Sequence, residues 1–246
     1  MANWSDPRSG VAGFGNATAA RGEAFDAGLR RYMLSVYNYM ASGVLLTGIV
    51  ALLFASSGLA YQILAGPGLL KYIIMFAPLA FVMVLSFGIN RLSTVTAQAL
   101  YWAYAAVMGL SLSSIFLVYT GTSIAQTFFA TAAAFAGLSL WGYTTKKDLS
   151  GFGTFLIMGV VGIIVASILN MLIFQSSMMH MVISVVGLLV FAGLTAYDTQ
   201  RLKNMYFQIA GNARAMAVAT TFGALSLYLD FVNMFQFLLA IMSGRD

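Results

Sequence analysis

Apolar residues run in seven stretches separated by short polar segments: Met33 to Ala55, Tyr72 to Ile89, Leu100 to Tyr119, Ile124 to Tyr143, Phe155 to Phe174, Met178 to Tyr197 and Phe222 to Met242. Each is close to the ~20 residues a helix needs to cross the hydrocarbon core. Backbone polar groups in lipid must be satisfied within their own segment, so the pattern predicts an all-α, polytopic transmembrane helix bundle of seven helices. Only a few residues separate spans three and four, and spans five and six, which predicts two tight antiparallel hairpins. Residues 1–30, rich in Gly, Ala, Ser and Asn, predict a polar, mobile N-terminal tail ahead of a bundle at residues 31–246.

The last span departs from this apolar monotony. Ser226, Asp230, Asn233 and Gln236 follow one another at steps of four, three and three, which keeps them on one arc of a helix. That face must look at other helices or a wet cavity, so the last helix is expected at the centre of the bundle. The preceding span ends on a second acid, Asp198 in AYDTQ. A carboxylate in or at the edge of the membrane costs about 2.5 to 3.5 kcal/mol on insertion scales and is by default a functional hypothesis. On these boundaries Asp198 lies at the membrane edge and Asp230 about 12 Å inside, at 1.5 Å per residue. Sliding the sixth span to Val182 through Leu202, with Arg201 snorkelling, brings the two level.

Composition narrows the functions. Of 246 residues 61% are hydrophobic and only 8% charged, where a soluble domain has about a quarter charged. The absence of cysteine excludes disulfides, thiolate metal sites and cysteine nucleophiles. One histidine, His180, and one glutamate, Glu23, cannot build a zinc site with its base. The last span has no lysine for a retinal Schiff base. Intramembrane aspartyl proteases need a glycine two residues before the second aspartate, where this chain has Tyr228, and a later proline motif that Pro7, Pro67 and Pro78 do not supply. An enzyme is therefore not expected, and no cofactor is implied beyond a calcium ion bound or transported.

The net charge of +5 is spread over the connections and leaves no nucleic-acid footprint. Arg8, Arg21, Arg30 and Arg31 precede the first span, and Arg91, Lys146, Lys147, Arg201, Lys203 and Arg214 follow spans two, four and six. The other side has only Lys71 and Arg245. The positive-inside rule then places the N-terminus in the cytosol.

Two carboxylates that meet in a poorly hydrated bundle cannot both ionise cheaply, and they titrate in steps that belong to the pair. A shared proton ties spans six and seven together; its loss leaves like charges that repel or recruit a cation. Asp198 and Asp230 are thus a candidate proton and calcium site, calcium being a hard cation that takes carboxylate and carbonyl oxygens. Arg91 and Arg201 are candidate counter-charges, and an Arg91 to Asp198 bridge would latch span two, where Pro78 predicts a kink. Asn170, Ser226, Asn233 and Gln236 are candidates for lining a path. Most other hydroxyls in the spans are expected to bond their own helix backbone. The pairs Ala133/Gly137 and Gly187/Gly193 are expected to allow close helix packing.

Five stretches in order, FDAGLRRYMLSVYNYM from Phe25, GLSLSSIFLVYT from Gly109, YTTKKDLSGFG from Tyr143, AYDTQ from Ala196 and LSLYLDFVNMF from Leu225, resemble the Bax inhibitor-1 family in its bacterial branch. The resemblance implies a six- or seven-helix fold with the last helix central, a paired-aspartate pH sensor at Asp198 and Asp230, and a pH-dependent calcium leak in a bacterial cytoplasmic membrane. Eukaryotic members are associated with cell-death suppression. Arg91 falls near an arginine that the family pairs with the first aspartate. The segment from Arg201 to Thr221 reads as a loop longer than the family's. The expected function is a proton-gated calcium leak whose partners are lipid, calcium and protons. The alternative is a regulatory protein that binds another membrane protein, such as a protease or channel.

Overall fold

The computed structural model describes the backbone of residues 8–88 and 93–243, and the side chains of residues 25–83 and 93–242. Among the described residues the chain is helical, without a strand. The helices are α1 (Arg8–Ser56), α2 (Leu70–Gly88), α3 (Thr94–Leu112), α4 (Ile115–Val118), α5 (Gly121–Thr144), α6 (Ser150–Leu169), α7 (Ser177–Ile209) and α8 (Ala213–Ser243). Single π-helical turns at Tyr61–Ala65 and Asn170–Phe174 carry the chain between α1 and α2 and between α6 and α7.

Hydroxyl and amide side chains start the helices. The Ser93 hydroxyl accepts from the Thr96 N–H at 3.1 Å, Thr120 from Ser123 at 3.2 Å, and Ser176 from Met179 at 3.3 Å. Each supplies one of the orphan N–H groups of a first turn with an acceptor. Among the described residues six helical segments are long and apolar enough to cross a membrane, and α2 adds a shorter apolar helix at Leu70–Met83, where seven spanning helices are expected from the sequence. The helix continues through Pro78.

Burial places α8 at the centre. It packs against α7, α1, α5 and α3, whereas α6 leans on α7 and the turn that follows α6. Half of the most apolar window of α8 is buried, against 17% of that of α6, which leaves the outer helix apolar all round and facing lipid. The core between them holds Leu227, Tyr228, Phe231 and Met234 of α8, with Tyr228 edge-on to Tyr101 and Tyr104 of α3. The Tyr228 hydroxyl meets that of Thr47 on α1 at 2.6 Å, and Thr47 also donates to the Ala105 carbonyl at 2.8 Å.

Three expectations change. The segment from Arg201 to Thr221 is not a long loop, because α7 runs on to Ile209 and α8 begins at Ala213. Beyond Asp198 the chain is amphipathic: Leu202 and Tyr206 turn inward, and Tyr206 packs on Phe25 and Tyr32 of α1 with ring centres 5.2 and 5.6 Å apart. Hydropathy ends the span where polar residues start, although one face of the helix still has a core to join. Gly211, at φ +91°, makes the turn, and Asn212 accepts from the Ala215 N–H at 3.0 Å to restart the helix.

Second, the segment read as a mobile tail is helical from Arg8 onward, continuous with the first span. Third, Ala133 and Gly137 are exposed, and a side chain on Gly137 would meet nothing, so they do not mediate packing. The close approach of α5 to α7 is made by Gly142, which rests on the backbone of Ala196. Gly187 and Gly193 do serve packing, against Phe237 and Leu156.

Candidate functional site

The AYDTQ segment is locked into the bundle residue by residue. Ala196 lies against Gly142 of α5, and the Tyr197 ring covers Gly153 of α6. Thr199 contacts the Ser139 hydroxyl at 3.4 Å and the Tyr37 hydroxyl at 3.4 Å. Gln200 clamps the α5–α6 connection from both sides of its amide, accepting from the Leu149 N–H and donating to the Lys147 carbonyl, each at 2.8 Å. With its neighbours fixed in this way, Asp198 meets Ser226 of α8.

Asp198 and Asp230 are both buried, at 7% and 3% exposure, on the two helices that pack most closely. The Ser226 hydroxyl donates to Asp198 Oδ2, and Arg201 Nη1 stands 3.7 Å from Asp198 Oδ1. Ser226 lies one turn before Asp230 on α8, about 6 Å along the axis, so the residue bonded to Asp198 and Asp230 are neighbours on one face of the helix. Among the described residues Asp230 Oδ2 has no hydrogen-bond partner.

Asp198 and Ser226 line a cavity of about 680 Å³ between α7, α8 and α2 that also has Arg201, Met205, Arg214 and Val82 in its walls. It extends along α7 from Asp198 to Ile209 at the α7–α8 turn, about 17 Å. Both arginines lie toward that turn, and Arg201 is more than half exposed. Asp230 does not line this cavity but sits behind Ser226 and Leu229, which do.

The remaining candidates separate. Lys203 is committed to α5, donating to the Tyr143 carbonyl at 2.8 Å with its ammonium 5.0 Å from the centre of the Tyr143 ring. Asn233 donates to the Leu229 carbonyl of its own helix at 2.8 Å. Asn170 and Gln236 are at the opposite end, in a second cavity. Asn170 caps the turn there, donating to the Ser176 carbonyl at 3.1 Å and accepting from its N–H at 3.0 Å. Arg91 lies outside the described residues, as does any latch it would form. The hydroxyls of Ser113, Ser114 and Thr195 bond their own helices, as expected.

Gln200 escaped sequence reasoning, although the signal was present: AYDTQ and YTTKKDLSGFG stand out as two distinct motifs, and Gln200 is the side chain that joins them. Outside the spans, Asp148 is fully exposed, and the backbone N–H and hydroxyl of Ser150 hold its carboxyl below the usual carboxylate range.

Among the described residues no group of three or more His, Cys, Asp or Glu side chains could hold a metal. A resident calcium takes six to eight oxygens.

An outer ring of apolar helices, a central helix with one polar face and two buried carboxylates define a multi-pass membrane protein. The chain belongs to the Bax inhibitor-1 family: the family model described as inhibitor of apoptosis-promoting Bax1 matches residues 29–246. Its relatives include the inner membrane protein YbhL of Escherichia coli K12, 46% identical over 223 residues that cover 89% of this chain and 94% of that protein. A protein of Caulobacter vibrioides is 49% identical over 231 residues, covering 89% and 91%. One from Rickettsia prowazekii is 44% identical over 228 residues, covering 93% and 95%.

Proposed function

We propose that this protein is a proton-gated cation leak, with calcium as the favoured cargo and Asp198 and Asp230 as its sensor, and that it performs no enzymatic step. The observation that carries the reading is the burial of both carboxylates, with Asp198 lining a cavity that reaches the α7–α8 turn and Asp230 one helical turn beyond Ser226. Charging both acids there requires a counter-ion, because two like charges in a poorly hydrated site repel. Protons and a divalent cation compete for that role, so occupancy by one excludes the other. Arg201 shares the Asp198 charge when no cation is present, and a cation arriving from the cavity displaces it.

The basic connections favour a cytosolic N-terminus, with the α7–α8 cavity on that side. The inner-membrane name of the Escherichia coli relative favours the same membrane for this chain. A second reading, regulation of another membrane protein, draws on α1, whose helix continues N-terminal to Phe25. Calcium flux into liposomes carrying only the purified protein separates the two: a leak conducts alone, and a regulator is silent without its partner.

A further inference from the structure

The second cavity, about 640 Å³, lies at the end away from the α7–α8 turn and is lined by Tyr119, Asn170, Gln175, His180, Ser184 and Gln236, among others. It forms where the chain abandons regular helix. The π-helical turn Asn170–Phe174 ends in Gln175, whose φ of 46° is left-handed, and the Asn170 amide ties this turn to Ser176 through two hydrogen bonds. Non-helical backbone at the end of a span persists where protein or water satisfies it. The wall is therefore built and held, and it sets amide, hydroxyl and imidazole groups among apolar side chains.

One face of α8 joins the two cavities. Ser226 lines the first and Gln236 the second, with Asp230 and Asn233 between them on the same arc. The gap is short, since Leu229 still lines the first cavity and Gln236 already lines the second, about 10 Å along the axis. On the second cavity's side of that gap α7 and α8 bring apolar bulk together, with Phe237 of α8 itself in the cavity wall. The Phe191 and Phe237 rings stack with centres 6.0 Å apart, and the Thr195 hydroxyl contacts Met234 Sδ at 3.3 Å. Phe237 lies against Gly187, where a Cβ would stand 2.6 Å from the ring.

We propose that the second cavity is an aqueous vestibule that admits a hydrated cation, and that Phe237, seated on Gly187 and stacked on Phe191, is the apolar step separating it from Asp230. The cargo rests on the leak reading above; the vestibule and the step do not. Neutral amides and hydroxyls let an ion keep its hydration shell, while a ring of aromatic carbon closes the way by excluding water. A cavity that reaches Asp198, with Asp230 behind its wall, becomes a path only with a second opening, and this vestibule supplies it on the far side.

The natural chain has no cysteine, so single cysteines report without background. Vesicles of known orientation carrying Gln236→Cys or Ser226→Cys are exposed on one face at a time to a charged, membrane-impermeant thiol reagent. Gln236→Cys is expected to react only from the face of the α6–α7 turn, and Ser226→Cys only from the face of the α7–α8 turn. Adding Phe237→Ala, or the milder Phe237→Leu, is expected to expose Asn233→Cys to the reagent from the vestibule side and to raise calcium flux several-fold at fixed pH. Absence of Gln236→Cys labelling from that face overturns the vestibule, and Asn233→Cys that stays unlabelled with both Phe237 variants overturns the step. Labelling as expected with no calcium flux in the parent keeps vestibule and step and removes the leak reading.

Discussion

Ser226 on α8 donates its hydroxyl proton to Oδ2 of Asp198 on α7, a bond between the central helix and the acid of its closest neighbour. Both residues line the first cavity, and the bond holds Asp198 against α8. Ser226→Ala removes the donor and leaves a buried carboxylate oxygen short of a partner. The expected loss is about 1–3 kcal/mol of stability, read as a lower unfolding temperature in detergent, with Ser226→Thr recovering most of it. An unchanged unfolding temperature in Ser226→Ala would show that the bond holds nothing.

Gln200 positions Asp198 indirectly, by pinning the α5–α6 connection. Gln200→Ala strands the Leu149 N–H, and the expected destabilisation is again about 1–3 kcal/mol. Gln200→Glu keeps an acceptor for Leu149 and loses the donor to Lys147, so it should fall between the two. Hydrogen exchange at the Leu149 amide checks this directly, rising most in Gln200→Ala.

Two glycines of α5 should respond in opposite ways to the same change. In Gly142→Ala the new methyl runs into the backbone of Ala196, which cannot swing aside, and overpacking of this kind costs about 1–3 kcal/mol. Gly137→Ala meets open space and gains helix propensity of up to about 1 kcal/mol. Thermal unfolding of the pair in one detergent provides the comparison, and equal behaviour would contradict the packing described.

Asp148 supplies the pH control. Its carboxyl is held below the ordinary range by the Ser150 N–H, so it contributes while ionised and that contribution is lost only as pH falls through its own lowered value. Near neutral pH it is already charged and stays so. Asp148→Asn should therefore leave the pH profile of flux unchanged between about pH 5.5 and 8.

Much of this was legible beforehand because lipid imposes strict rules. The helical bundle, the central place of α8 and the burial of both aspartates follow from apolar length and from the polar arc Ser226, Asp230, Asn233, Gln236. The end of α7 was not legible from hydropathy, since Leu202 and Tyr206 continue the core inside a stretch whose average is polar. The alternative placement of the sixth span through Leu202 came closer, because it asked what the aspartate needed as a neighbour. Ser226 was placed on the right face without its partner, as a serine four residues before an acid does not reveal which acid it serves. Asn170 looked like a path residue and caps a turn at the edge of the vestibule, a role set by the left-handed Gln175 five residues on. Gly137 misled because spacing alone does not say which face of α5 looks outward.

The carboxylate pair as sensor is tested most directly by calcium flux into liposomes measured across a pH series for the parent, Asp198→Asn and Asp230→Asn. The account predicts a pH-dependent flux in the parent, and a profile flattened or displaced by each substitution, with Asp148→Asn tracking the parent. Parent-like pH profiles in both Asp198→Asn and Asp230→Asn would contradict it.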